Sequence, residues 1–359
     1  MKKILTIVLA LFTSTTAFSQ AYNSPESIEF DYANNRWLIS NNGSGQVLTR
    51  SSVTGARAVF ASGITSGPHG LEIVNDTLYV CDGGNIKMYN INTAASLGTI
   101  AMGATFLNGI THDNTYLYAT DFSAKKIYRI NIATRAFSIY VTGLAKSPNG
   151  IIYDAPNNRC VFVNWGTSAP IMALDVTTAA TSVITATTLS NCDGIAKDGT
   201  GNYYVSSWGL NGISRFNNTF TGGPTTVVTG LSSPADICYN ILTDTLGNPN
   251  SGTLNNTTYH YFGSATAIDE SEKSKFKFLV NPNPIAKTAE IKFELKSEGN
   301  VKIELYDVKG QLVKTIVNQT QSIGMHSINF DRSSLSAGNY FFTISTSVGT
   351  ETKKVVIVE

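Results

Sequence analysis

An eight-residue phrase returns six times along the chain: SPESIEFD (24–31), GPHGLEIV (67–74), FLNGITHD (106–113), SPNGIIYD (147–154), NCDGIAKD (191–198) and SPADICYN (233–240). Counted from Pro25, Pro68, Leu107, Pro148, Cys192 and Pro234, the steps are 43, 39, 41, 44 and 42 residues. After each of the first five phrases comes a second alternating run, such as RWLISN, TLYVCD or CVFVNW. A third follows (GQVLTR, KIYRIN), and several copies have a fourth (ARAVFAS, FSIYVTGL). Four short strands per unit of about forty residues is the repeat of a β-propeller blade, since such a unit cannot bury its own apolar face and must stack on neighbours. No stretch keeps a 3.6-residue period, which excludes a helical solenoid. The expected fold class is all-β: a six-bladed propeller over residues 20–264, then a linker (265–275) and a small β-sandwich (276–359). The sixth copy is short and lacks its outermost strand. Residues 20–24 are the nearest chain that can close the ring there.

The first strand of each blade lines the central channel, so one side chain from each copy faces the axis near one mouth. These are Glu26, His69, Asn108, Asn149, Asp193 and Asp236, a ring of three acids, two amides and one imidazole without Lys or Arg. Crowded carboxylates repel one another and attract protons or a cation. Hard oxygen donors suit calcium first, then magnesium or manganese, with zinc also admissible. The competing reading is a structural ring that ties off strand ends and channel water. Trp165 and Trp208, just past the second strands of blades four and five, either floor a pocket over the channel or pack between blades. His112 and His260 fall outside the frame.

The first nineteen residues have two lysines, a short apolar run from Ile4 to Phe12, and small residues Ala17 and Ser19 before a cleavage site. That is an export leader too short to span a bilayer, and it leaves no transmembrane segment in the mature chain. Residues 20–265 carry 12 Lys and Arg against 14 Asp and Glu, and residues 266–359 carry 12 against 11. Neither part has a basic stripe, which argues against nucleic acid as a partner. Cys81, Cys160, Cys192 and Cys238 are widely spaced without a CxxC pair, which excludes a zinc ribbon. Each lies in or beside a strand pattern, as a small buried residue does.

Glu in PES, Asn in FLNGI, Asn in PNGIIYD and Asp in CDGIAKDGTGNYYVSSW together resemble the senescence-marker/gluconolactonase (regucalcin-like) family over roughly residues 24–262. The resemblance implies a single divalent cation in the channel, held by Glu26, Asn149 and Asp193, with Asn108 binding through water or touching substrate. It implies lactone or ester hydrolysis with Asp193 as proton acceptor, the metal acting as Lewis acid. In two places the chain departs from the family. Phe106 stands where sugar-lactone enzymes commonly have Arg, and no Gly follows Glu26. Both point away from a sugar acid and toward an apolar substrate. His69 matches the general base of virginiamycin B lyase-like propellers, or is simply bonded to a carboxylate such as Glu26. The alternative to catalysis is a surface propeller that binds glycan or protein.

From residue 276 onward, NPNP, ELYDVKGQLV, LSAGNYFFTI and a terminal KKVVIVE resemble the type IX (Por) secretion system C-terminal sorting domain, type A. The resemblance implies a Bacteroidetes source, recognition by that secretion machinery, and passage across both membranes to the cell surface or medium.

Overall fold

The computed structural model describes residues 19–262, 278–307, 311–333, 335–347 and 349–358. The expected leader up to residue 18 and the whole expected linker lie outside them. Six antiparallel sheets follow one another along residues 25–261, each built from a contiguous run of chain. Blade one is Pro25–Asp31, Arg36–Asn41, Gln46–Ser51 and Arg57–Ala61, ordered from the axis outward. Blades two to five repeat that order, with inner strands Pro68–Val74, Leu107–His112, Pro148–Asp154 and Cys192–Lys197. Blade six has three strands, Cys238–Asn240, Thr245–Asn250 and Asn256–Tyr261. Among the described residues no fourth, outermost strand joins this sheet.

Local chemistry turns the chain between first and second strands. Asn35, Asn75, Asn114, Asn158 and Asp244 all sit there at positive φ, between 48° and 74° for four of them and 47° for Asn158. Asn and Asp tolerate this left-handed conformation better than other residues with a Cβ. In blades one and four the inner strand ends in an Asp held by the Arg that opens the next strand: Asp31–Arg36 at 2.9 Å and Asp154–Arg159 at 3.0 Å.

Apolar residues on both faces of each blade pack against the neighbouring blades, giving six cores around the ring. Between blades two and three lie Cys81, Ile86, Met88, Leu107 and Leu117; between four and five lie Val161, Val163, Ile195, Tyr203 and Val205. Cys81, Cys160 and Cys192 are buried free thiols, and Cys238 is a half-buried one. The core between blades six and one is small and aromatic. Phe30 meets Trp37 edge to face at 4.7 Å, and Trp37 tilts on Tyr259 at 5.2 Å. Gly247 makes room there, because a Cβ would stand 2.9 Å from both Trp37 and Ile28.

Residues 20–24 do not add a strand to blade six. They reach it through side chains: Tyr22 Oη to Thr257 Oγ1 at 2.8 Å, Ser24 N to Asn255 Oδ1 at 2.8 Å, and Asn255 Nδ2 to Tyr22 O at 3.1 Å. Ring closure itself happens at the axis, where the Asp236 N–H donates to Glu26 O at 2.9 Å.

The C-terminal residues form a seven-stranded β-sandwich. A three-stranded sheet (Phe278–Asn281, Thr288–Leu295, Gly324–Asp331) faces a four-stranded one (Gly299–Tyr306, Leu312–Gln321, Gly338–Thr346, Gly349–Ile357). Its own core includes Ile291, Phe293, Val301, Ile303, Phe330, Phe342 and Val355. Among the described residues no helix is long and apolar enough to cross a membrane.

Candidate functional site at the channel mouth

The frame residues lie where each inner strand leaves its pairing register. Irregularities fall between Pro25 and Ser27, Pro68 and Leu71, Pro148 and Ile151, and Cys192 and Ile195. A bulge releases a side chain from the pleat and re-aims it, here toward the axis. The glycine that follows the frame residue in blades two to five has a steric cause. A Cβ on Gly70, Gly109 or Gly150 would stand 2.2, 2.5 or 2.6 Å from the carbonyl oxygen of Asn108, Asn149 or Asp193 in the next blade. Inner strands approach too closely at this level for any side chain.

Hydroxyls on the second strands secure the same level. Thr120 Oγ1 accepts from Gly109 N and donates to Asn149 O, both at 2.8 Å. Ser206 Oγ repeats the bridge between Gly194 N and Ala235 O, both at 2.7 Å. The sequence does not disclose these bridges, since a Ser or Thr in an alternating strand carries no distinctive signal.

Blade six corrects the expected ring. The bridge Pro234–Asn250 corresponds to Pro25–Asn41 and Pro148–Asn164, so Ala235 holds the frame position and Asp236 stands where other blades have glycine. Asp236 still borders the channel, one residue deeper than Asp193. Ser27, which holds the glycine position of blade one, donates to Asp236 Oδ2 at 3.0 Å.

Burial dominates the electrostatics. It pushes Asp193 well above the ordinary carboxylate range, reinforced by Glu26 and Asp236, while the indole of Trp208 acts in the opposite sense. Burial also raises Glu26, against a 2.9 Å hydrogen bond donated by Ser251 Oγ. Asp236 is pushed up to about 7, first by burial and then by Glu26, with the Ser27 hydroxyl opposing. His69 is driven down to about 4 by burial and is neutral at neutral pH. Its partner is not Glu26: Asn42 Nδ2 donates to His69 Nε2 at 3.1 Å, because Asn42 stands directly above it.

Asn149 is almost wholly buried, and its Nδ2 donates to Cys192 O at 3.3 Å. That bond fixes the amide and leaves Oδ1 without a protein partner; Asp193 Oδ1, on the adjacent blade, has none either. Two enclosed acceptors without protein donors are places for a water or a cation to bind. Carboxylates and imidazole alone do not form a cation site: among the described residues no three of His, Cys, Asp and Glu converge closely enough to hold a metal. Any cation here depends on amide oxygens as well as acids.

A second ring stands one level above the first. The residue after each second strand returns its N–H to the carbonyl just before the inner strand: Asn42 to Ser24, Phe122 to Phe106, Trp165 to Ser147, Trp208 to Asn191 and Ser251 to Ser233, at 2.9–3.1 Å. Gly83 holds that place in blade two. This ring has two halves. Asn42 and Ser251 are polar and bond His69 and Glu26 below them. Phe122, Trp165 and Trp208 form an aromatic arc, extended by Phe106 to His69. Centroids along it are 4.6 Å (His69–Phe106), 5.8 Å (Phe106–Phe122), 5.9 Å (Phe122–Trp165) and 5.1 Å (Trp165–Trp208), all edge to face. Phe106 and the two tryptophans stood out in the sequence; Phe122 did not.

A cavity of about 660 Å³ opens at the channel's other end, beside Glu29, Glu72, His112 and Cys238. Burial and then Asp236 push Glu29 up to about 8, and Glu72 receives His112 at 3.4 Å. Among the described residues, four of the five buried polar atoms without a protein partner belong to His69, Asn149, Asp193 and Trp208, so unmet hydrogen bonding concentrates at the first mouth.

Residues 279–358 match the secretion system C-terminal sorting domain. The chain is therefore exported to the cell surface or beyond, and its tail is the part that meets the secretion machinery. Residues 28–204 match a repeat of unknown function. No curated protein matches the sequence. Among solved structures, nidogen in its complex with laminin is similar at a TM-score of 0.53 and 14% identity, over 63% of this chain and 93% of that one. A structural genomics protein of unknown function from Bacteroides thetaiotaomicron gives 0.54 and 14%, over 64% and 67%. A luciferin-regenerating enzyme gives 0.53 and 12%, over 64% and 85%. At these identities the likeness is one of fold alone.

Proposed function

We propose that the exported propeller is a gluconolactonase-like, divalent-metal-dependent hydrolase of a lactone or ester. The observation that carries this reading is the pair of buried, partnerless oxygens, Asn149 Oδ1 and Asp193 Oδ1, beside the raised carboxyl of Glu26. Glu26, Asn149 and Asp193 are the ligands, Asn108 the water-mediated or substrate contact, and calcium the first choice of ion, before magnesium, manganese or zinc. A cation held there would supply Lewis-acid polarisation of the substrate carbonyl and a more acidic bound water. Asp193, the carboxylate beside the reacting water, is the proton acceptor. Cys192 O orients the Asn149 amide, and Ser251 holds Glu26. His69, neutral and bonded to Asn42, orders the far side of the ring.

Calorimetric titration of calcium, magnesium and manganese into the mature chain tests this. One saturable site, lost in the Glu26→Gln, Asp193→Asn double variant, is the expected result, followed by lactone turnover that needs the ion. No binding by the wild type sinks it. The lack of a three-acid cluster among the described residues then favours a second reading, a propeller that binds glycan or protein without turnover.

A further inference from the structure

Three of the four unmet polar atoms at this mouth, those of Asn149, Asp193 and Trp208, lie on the side of the aromatic arc; the fourth is His69 Nδ1. Over Glu26 and His69 the upper ring supplies Ser251 and Asn42, which bond Glu26 Oε2 and His69 Nε2. Over Asn149 and Asp193 it supplies Phe122, Trp165 and Trp208. These rings are half-buried, so their surfaces are incompletely covered by protein. We infer that this half of the mouth is a subsite for the planar aromatic body of an uncharged ligand, whose carbonyl end lies over Asn149 and Asp193. The inference rests on the reading of the lower ring as the reactive centre, and it names the substrate class for that centre.

Three observations carry it. First, consecutive rings meet at interplanar angles of 68–89°, so the arc offers alternating edges and faces instead of one flat shelf. A flat aromatic guest completes such a series with further edge-to-face contacts, whereas the hydroxyls of a sugar have no partners on Phe106 or Phe122. Second, neither ring contains Lys or Arg. The nearby Lys146 ammonium is engaged with Thr167 O at 2.7 Å, outside both rings. An anionic sugar acid would therefore face Glu26, Asp193 and Asp236 with no cation from the protein to hold it. Third, the indole Nε1 of Trp208 is enclosed without a protein partner, so a donor stands beside Asp193 for the carbonyl end of the ligand.

The test uses α-tetralone, a bicyclic aryl ketone that cannot be hydrolysed, so that binding is read apart from turnover. Its affinity for the mature chain is measured by calorimetry with and without calcium, beside sorbitol and gluconate. Wild type should bind the ketone and neither sugar. Trp165→Ala and Phe122→Ala should each weaken the ketone about tenfold, because each removes one ring of the series that grips it. The circular dichroism and calcium titration of both variants should match wild type. Trp37, buried between blades six and one, gives a fluorescence internal to the fold that should not move. Failure of the ketone to bind wild type, unchanged affinity in both variants, or tighter binding of gluconate overturns the inference. Ketone binding without any calcium site leaves the aromatic subsite standing and removes the metal reading instead.

Discussion

Blades two to five and the seam between blades six and one solve the same packing problem differently. In the first group a glycine lets each inner strand come close against the backbone of the next. At the seam, Asp236 and Ser27 occupy the glycine positions, yet the strands still meet, through Asp236 N to Glu26 O and Ser27 Oγ to Asp236 Oδ2. The glycine steps fix spacing by removing atoms. The seam fixes it by making bonds and places an extra carboxyl in the channel. Closure and electrostatics are therefore coupled there and nowhere else among the described blades.

The largest effect expected from breaking this contrast is on the glycine side. Gly150→Ala sets a Cβ against backbone that cannot retreat, and should cost about 1–3 kcal/mol or more by chemical denaturation. A loss below about 0.5 kcal/mol, the ordinary surface value, would mean the inner strands can separate freely. At the seam the sign reverses. Asp236 ionises near 7 in the folded chain, while an unfolded aspartate does so near 4. Between those values the folded state holds the extra proton, so stability falls as pH rises from about 4 to about 7. Asp236→Asn keeps an acceptor for Ser27 and removes that penalty. It should stabilise the chain by about 1–3 kcal/mol at pH 8, with no gain below pH 4. A variant less stable than wild type at pH 8 would show that the charge itself holds the seam.

The same titration sharpens the cation site. At the proposed cation site protons would compete with calcium for Glu26 and Asp193, so calcium affinity should drop at least about tenfold between pH 8 and pH 5.5. Affinity that ignores pH would place the ion away from these acids. The smallest effect belongs to the N-terminal clasp. Asn255→Gly, which suits the positive φ of 45° there, removes two hydrogen bonds to residues 22 and 24 at an exposed site, and should cost about 0.5–1 kcal/mol in thermal unfolding. A loss of several kcal/mol would move the closure from the axis to the rim.

Much of this was legible because the repeat carries it. A frame that returns about every forty residues determines four-stranded units and their number, and the shorter sixth unit seen among the described residues. The sandwich announces itself through its alternation and Gly turns, and the motif string at its end determines export. Tertiary structure decided what depends on neighbours distant in sequence. The partner of His69 is Asn42, 27 residues away in another blade, not the acid that charge alone suggested. The Pro234–Asn250 bridge bears out what the alignment on Pro234 already contained, that Asp236 stands one position past the frame; that its carboxyl meets Ser27 was not in the sequence. The aromatic arc formed because single residues from different blades share one level of the ring. Periodicity reports which way a side chain points along its own strand; it carries no information on which side chains from other blades meet it at the axis.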